Sequence, residues 1–172
     1  LPGYFIMGSS NATVTQMISL FQTSGKSYPS NVYSSKGAPT LESFCQTVYD
    51  QAQAEGVRAE VLFAQVMWET GWLQFGGDVK PEQCNFGGLG ATGNGEPGNS
   101  FPSVAIGLRA QAQHLKAYAS LEPVNGELYD PRFYYVNPRG CAPCVEDLSG
   151  KWAADKNYGV SLVKLIERLL SI

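Results

Sequence analysis

The 172-residue chain carries little positive charge and only one histidine. Its 12 lysines and arginines are outweighed by 15 aspartates and glutamates, which gives a formal net charge of −3. Nucleic-acid-binding domains usually present a basic patch or stripe, so we expect no nucleic-acid partner. The single histidine, His114, has no serine or cysteine elbow motif to serve, and we interpret it as a surface or capping residue.

Long apolar runs are also missing. No stretch reaches the roughly 20 apolar residues that a membrane-spanning helix needs, so we expect no membrane span. The chain starts at Leu1 without an initiator methionine or a basic leader. We therefore expect an excised or processed domain.

The four cysteines do not have the spacing of a metal site. A structural zinc site usually takes its ligands as two close pairs, and here only Cys141 and Cys144 are close together. We therefore expect no metal. Cys45 lies on the apolar face of a predicted helix and is interpreted as a core residue. For Cys141 and Cys144 two alternatives stand: a local disulfide, or a redox pair that lacks the usual preceding strand.

What the sequence does contain is apolar and aromatic residues, at 44% and 12% of the chain. With this length they predict a single globular domain over residues 1–172, which we expect to be a monomer. Residues 1–39 are predicted to form an irregular lead-in, an N-terminal helix and a long loop, and residues 40–172 are predicted to form the core.

The Gly-rich residues 78–101 are predicted to form a hairpin or lobe. Their Gly-x-Gly pattern has no preceding strand, so no nucleotide cofactor is indicated.

Apolar residues recur at helical spacing in several segments, which predicts a mainly helical fold. The first helix runs from Val14 toward Gly25. Three more follow the predicted capping residues Thr40, Ser103 and Asp155. A short aromatic helix is predicted after the turn at Asp130.

A buried helix near the middle of the chain ends in a carboxylate. Residues 61–68 are apolar on nearly every side of a helical wheel, so this helix is predicted to be buried, including Trp68. Glu69 follows, just before the helix-stopping Gly71. The negative end of the helix and nearby aromatic residues favour the protonated form of Glu69. Such a residue suits a general acid for glycosidic bond cleavage. The alternative is a side chain that simply points outward from the end of a core helix.

Four separated motifs follow one another along the chain: Glu69-Thr-Gly-Trp, Asn85-Phe-Gly-Gly-Leu-Gly, Asp130-Pro-Arg-Phe and Trp152-Ala-Ala-Asp-Lys-Asn-Tyr158. In order and spacing they resemble the bacterial glucosaminidases of glycoside hydrolase family 73, especially clostridial autolysins and related phage endolysins. The similarity covers roughly residues 40–170.

The resemblance implies a lysozyme-like, mainly helical fold with a small β lobe beside a substrate groove. It also implies a secreted, wall-associated enzyme that cleaves the β-1,4 bond after N-acetylglucosamine in peptidoglycan, its polymeric partner. Carried over to this chain, Glu69 is the general acid, Tyr158 supplies a catalytic hydroxyl, and Asn85 and Phe86 lie along the groove. Of the aromatic residues, Trp72 and Tyr135 are candidates to stack on sugar rings, whereas Trp152 is interpreted as packing the last helix.

The second carboxylate of the family is less clearly placed. Glu96 lies in the matching interval and is the candidate, with Asp78 as a rival. Without either, the 2-acetamido oxygen of the substrate could act as nucleophile.

Two other functions remain open at this point. A lytic transglycosylase also uses one glutamate at a helix end but forms an anhydro sugar. A non-catalytic wall-binding domain could have kept the groove and lost the chemistry, although the presence of both Glu69 and Tyr158 counts against it.

Overall fold

A computed structural model describes residues 3–172 and shows a mainly α fold, as predicted. Leu1 and Pro2, where the expected processed start falls, lie outside the described residues. The rest of the expected irregular lead-in, residues 3–10, contains isolated bridges at Phe5 and Met7 and no helix. Short 3₁₀ turns connect the helices at Ser34–Lys36, Pro81–Gln83, Phe133–Tyr135 and Val145–Leu148. The helices are α1 (Val14–Thr23), α2 (Ser30–Tyr33), α3 (Leu41–Ala54), α4 (Ala59–Thr70), α5 (Val104–Ala119) and α6 (Tyr158–Leu170).

The predicted starts of α3 and α5 are confirmed by their caps. The Thr40 side chain accepts a hydrogen bond from the Ser43 amide at 3.0 Å. The Ser103 hydroxyl accepts one from the Ile106 amide at 3.2 Å. Each bond satisfies a backbone donor that the first turn of a helix leaves unpaired.

The predicted start of the last helix is wrong by two residues. Helix α6 begins at Tyr158, with Asn157 and not Asp155 at the capping position. Asp155 instead folds the preceding turn, because its side chain accepts the Asn157 amide at 2.9 Å and its carbonyl accepts the Tyr158 amide at 3.2 Å. This turn places Tyr158 at the very start of the helix.

Two other local predictions need correction. The expected loop at residues 26–39 contains α2 and a 3₁₀ turn, because buried Tyr33 fixes the segment to the core. The aromatic helix expected after Asp130 is only the 3₁₀ turn Phe133–Tyr135.

The expected β lobe is not seen. Residues 3–172 contain three isolated bridges and no strand. In the Gly-rich segment, Gly88, Gly90 and Gly98 have φ values between 68° and 77°, which breaks the extended backbone that a strand ladder needs. Side-chain hydrogen bonds hold the segment instead. The Asn85 amide donates to the carbonyls of Leu89 at 2.8 Å and Asn99 at 3.0 Å.

Helix α4 is the centre of the core. Its residues from Ala59 to Met67 are all buried, and it packs against α3 and α6. Apolar side chains of α1 and α2 belong to the same core cluster. The prediction for Trp68 is wrong, because its side chain is 48% exposed where α4 reaches the surface.

All four cysteines have free thiols, so the local disulfide is not seen. Cys45 is fully buried, which confirms the interpretation of it as a core residue. No helix within residues 3–172 is both long and apolar enough to cross a membrane. In the same residues no group of three or more histidine, cysteine or acidic side chains is arranged to hold a metal ion.

A buried carboxylate joins α3 to α5. Glu55 is fully buried and accepts hydrogen bonds from Arg109 at 2.7 Å, Lys116 at 3.2 Å and the Asn125 amide at 3.0 Å. Burial alone would raise the pKa of Glu55, but these bonds together with one from Gln113 lower it below its usual range. The ion pairs of Glu55 with Arg109 and Lys116 fix how α5 lies across the core.

The approach of α5 to the Gly-rich segment depends on Gly107. A Cβ at this position would lie 1.8 Å from the Cys84 carbonyl oxygen. Alanine is normally about 1 kcal/mol better than glycine inside a helix. A backbone clash outweighs that gain, since overpacking costs about 1–3 kcal/mol or more. We expect Gly107→Ala to lower the free energy of unfolding by at least about 1 kcal/mol in urea denaturation followed by circular dichroism.

Gly77→Ala is the control, because a Cβ there meets no atom within 4 Å. It should unfold like the parent. A Gly107→Ala protein as stable as the parent would show that α5 does not approach Cys84 this closely.

Candidate active site

A cleft of about 580 Å³ opens at the C-terminal end of α4. One side is formed by Glu69 and Phe75, and the Gly-rich segment forms the other with Gly87 and Gly88. Trp152 closes one end. Three segments distant in sequence therefore meet around Glu69.

The end of α4 is fixed by its sequence. Gly71 takes the left-handed conformation, with φ 56° and ψ 54°, and its amide donates back to the Met67 carbonyl. Glycine takes this conformation without strain, which explains the stop. The helix thus ends with Glu69 in its last turn, at the edge of the cleft.

Tyr158 lies directly against this carboxylate. Its hydroxyl is 2.7 Å from Glu69 Oε1 and 3.0 Å from Gln65 Nε2. The Gln65 amide nitrogen can only donate, so the single hydroxyl hydrogen of Tyr158 points to Glu69. One oxygen of Glu69 is therefore bound, and Oε2 faces Gly88, where a Cβ would lie 3.7 Å away.

Two buried glutamines continue this chain of hydrogen bonds into the core. Gln111 Nε2 donates to Gln65 Oε1 at 2.9 Å, and both side chains have no exposed surface. Gln111 Oε1 has no partner among residues 3–172. The sequence interpretation missed both glutamines. A usable signal existed for Gln65, since it is a polar residue in an otherwise apolar helix, one turn before Glu69.

The electrostatics of Glu69 favour the neutral acid. Glu69 is exposed to solvent through the cleft, but the protein around its carboxyl group partly desolvates it, and this desolvation raises the pKa of Glu69. The hydrogen bond from Tyr158 partly offsets the rise in pKa. No lysine or arginine lines the cleft to favour the charged form. A carboxylic acid with a raised pKa at a cleft can deliver a proton to a bound molecule.

Tyr158 itself does not reach the cleft. Its side chain is 2% exposed, and burial together with the charge of Glu69 raises its pKa. It contacts the acid and not the space in front of it. The structure therefore places Tyr158 as a residue that positions Glu69.

The two candidate second carboxylates lie in different places. Asp78 lines the cleft, and its Oδ2 accepts a hydrogen bond from the Gly95 amide at 3.2 Å. Glu96 is exposed and does not line the cleft. A turn closed by the Glu96 amide on the Gly93 carbonyl places it on the outer side of the segment.

Asn85 and Phe86 border the cleft, but their side chains are occupied in building it. The Asn85 side chain is 2% exposed, and its amide is hydrogen-bonded to backbone groups of the Gly-rich segment. The Phe86 ring is 1% exposed and lies 5.3 Å from the ring of Phe44 and 5.6 Å from that of Tyr33. Both residues hold the wall of the cleft in place.

The two predicted stacking residues lie away from the cleft. Trp72 borders a separate apolar depression with Trp68 and Leu165. Its ring packs edge-on against Phe21 at 6.4 Å. Tyr135 is largely exposed and lies under the Arg132 guanidinium, at 4.4 Å.

A smaller depression continues the cleft beyond Trp152. His114 lies in its wall, which corrects the surface interpretation, because the side chain is buried and 2.7 Å from the Asp130 carboxylate. The His114 ring also packs edge-on against Trp152 at 4.8 Å. Trp152 donates its indole N–H to the Gly87 carbonyl at 3.2 Å and so belongs to the cleft and not only to the packing of the last helix.

Residues 45–171 match the sequence model of the glucosaminidase family, described as mannosyl-glycoprotein endo-beta-N-acetylglucosaminidase. The chain belongs to this family, glycoside hydrolase family 73. It is also 45% identical over 130 residues to an uncharacterized protein of Borreliella burgdorferi, a match that covers 76% of this chain. The match spans 63% of the length of that relative.

The four motifs of this glucosaminidase domain meet around the cleft. The first supplies Glu69 and the helix stop, and the last supplies Trp152 and Tyr158. The Asn85 motif builds the facing wall. Asp130 supports that wall indirectly, through His114 and Trp152.

We expect Tyr158→Phe to raise the pKa of Glu69 further. The tyrosine hydroxyl stabilises the carboxylate by donating to it, so its removal disfavours ionisation. A titration of carboxyl ¹³C shifts by NMR should show the parent Glu69 above ordinary glutamates and the variant higher still. Tyr135→Phe, which lies away from Glu69, should leave the titration unchanged. A lower pKa of Glu69 in Tyr158→Phe would mean that the hydroxyl does not donate to this carboxylate.

Proposed function

We propose that this domain is an endo-β-N-acetylglucosaminidase that hydrolyses the β-1,4 bond between N-acetylglucosamine and N-acetylmuramic acid in peptidoglycan. The observation that carries the proposal is the position of Glu69. It is a carboxylic acid with a raised pKa at the edge of a cleft, with one oxygen bound by Tyr158. Membership of the glucosaminidase family supports the same reaction class.

In this mechanism Glu69 protonates the leaving glycosidic oxygen. The proton leaves from Oε2, because Oε1 already accepts the Tyr158 hydroxyl. As the carboxylate forms, that hydroxyl is in place to stabilise the new negative charge. Desolvation and the helix end hold the proton on Glu69 until the substrate arrives.

The opposite side of the sugar needs a nucleophile. A retaining pair of carboxylates must lie about 5–5.5 Å apart, and exposed Glu96 does not line the cleft. We propose that the 2-acetamido oxygen of the substrate attacks the anomeric carbon while the bond to the leaving oxygen breaks. Water then opens the cyclic intermediate, with the Glu69 carboxylate accepting its proton, so the anomeric configuration is retained. Asp78 adds negative charge to the same cleft, which favours the oxocarbenium-like transition state.

The proposed substrate determines the cellular location that we propose for the domain. Peptidoglycan lies outside the cytoplasmic membrane, so we place the enzyme in secreted form at the cell wall. We propose that it acts as a monomer, because every residue assigned to the mechanism lies in one chain.

We expect Glu69→Gln to fold normally and to lose at least about 100-fold of the peptidoglycan hydrolysis rate, because an amide has no acidic proton to give. Release of reducing ends from purified cell walls measures the rate, and circular dichroism checks the fold. Glu96→Gln is the matched control, with the same chemical change outside the cleft, and should keep most of the activity. Activity of Glu69→Gln near that of the parent would remove Glu69 from the mechanism.

A further inference from the structure

The groove is divided by charge into two neighbouring parts. Of the residues that the structure describes, the charged ones that line the cleft at Glu69 are Glu69 and Asp78, with no basic side chain. Those that line the depression beyond Trp152 are Arg132 and Lys151, with no carboxylate among residues 3–172. We call this second part the cationic depression. The two parts share Gly87, Gly88, Ala91, Thr92 and Trp152 as common lining.

Arg132 is held in place without using the N–H donors of its side chain. The planar guanidinium lies 4.4 Å from the centre of the Tyr135 ring. The backbone amide of Arg132 donates to the Asp130 side chain at 2.8 Å, and this bond fixes the turn. Within residues 3–172 the guanidinium makes no hydrogen bond or ion pair. A guanidinium stacked on a ring and otherwise unbonded keeps its fork of N–H donors available.

A second arginine, Arg139, also lies over an aromatic ring but has a structural role. Arg139 lies 4.5 Å from the centre of the Phe133 ring, but it donates to the carbonyls of Ser120 at 2.8 Å and Glu122 at 2.7 Å. Its charge serves the fold. Arg132 shares the aromatic support and lacks such partners, which indicates that its donors serve a molecule outside the chain.

The remaining charges around the depression do not cancel its positive character. Lys151 is exposed and has no ion pair among the described residues. The Asp130 carboxylate is fully buried and is occupied by His114 and by the Arg132 amide. Thus two cations line the depression, and the Asp130 carboxylate beside it is buried in the wall.

We propose that the cationic depression is a binding subsite for a carboxylate carried by the glycan strand, with Arg132 as the principal ligand and Lys151 as the second. This rests on the proposed function. In peptidoglycan the carboxylate has two sources: the lactyl group of muramic acid, which is free only where no peptide is attached to it, and the carboxylates of an attached peptide. Chitin-type oligomers of N-acetylglucosamine have neither. The subsite therefore makes the enzyme prefer acidic glycan over neutral glycan of the same backbone.

The test compares Arg132→Gln with the parent on three substrates. They are intact peptidoglycan strands, strands whose peptides have been removed by an amidase, and neutral N-acetylglucosamine oligomers. A charge-assisted hydrogen bond is worth about 1.5–3 kcal/mol, so kcat/KM on the preferred acidic substrate should fall about tenfold to 100-fold. On neutral oligomers it should change less than about twofold. Arg168→Gln is the control, since Arg168 also lies over an aromatic ring, Trp72, but borders a different depression.

The substrates separate the two sources of the carboxylate. A loss on stripped strands assigns the subsite to the lactyl carboxylate, and a loss on intact strands alone assigns it to the peptide. An equal loss on the neutral oligomers, or no loss on any acidic strand, overturns the subsite. If the parent cleaves none of the substrates, the proposed function fails separately. Calorimetric binding of stripped and intact strands to Glu69→Gln, with and without Arg132→Gln, then still decides whether the depression binds carboxylates.

Discussion

The hydrogen bond between Tyr158 and Glu69 connects the core of this domain to its chemistry. It is the outer end of a chain that runs through Gln65 to Gln111 and so joins α6, α4 and α5. Buried polar groups cost free energy unless they are paired, so the three hydrogen bonds of this chain favour the observed arrangement of these helices, although Gln111 Oε1 has no partner among residues 3–172. The chain also reaches the cleft wall, because a Cβ on Gly87 would lie 2.7 Å from the Gln111 side chain. The orientation of the acid is therefore set by packing on both sides of it.

This constraint explains why several motif residues use their side chains to build the walls of the cleft. Asn85 folds the Gly-rich wall, and Asp130 fixes His114, on which Trp152 packs. Each of these side chains contacts protein partners. A general acid needs a fixed position and a surrounding that disfavours its charge. The motifs supply both around the single carboxylate of Glu69.

Much of the fold could be predicted from the sequence because its signals are local. Capping residues and apolar periodicity located α1, α3 and α5, and the Gly71 stop located Glu69. The contact of Tyr158 with Gln65 could not be predicted, since 93 residues separate them. The expected β lobe failed because left-handed glycines interrupt an extended chain. The prediction that Trp72 lines the groove was wrong because the chain turns away from the cleft directly after α4, where Trp72 has a φ of 61°. Apolar periodicity does not reveal such a turn.

The central claim is that the acid at the end of α4 cleaves the bond after N-acetylglucosamine with water as the acceptor. Mass spectrometry of digested peptidoglycan, reduced with borohydride, tests this most directly, because the reduced sugar at the end of each fragment identifies the bond that was broken. We predict fragments that end in reduced N-acetylglucosamine. Fragments that end in reduced N-acetylmuramic acid, or in an anhydro sugar that resists reduction as a lytic transglycosylase would produce, would contradict it.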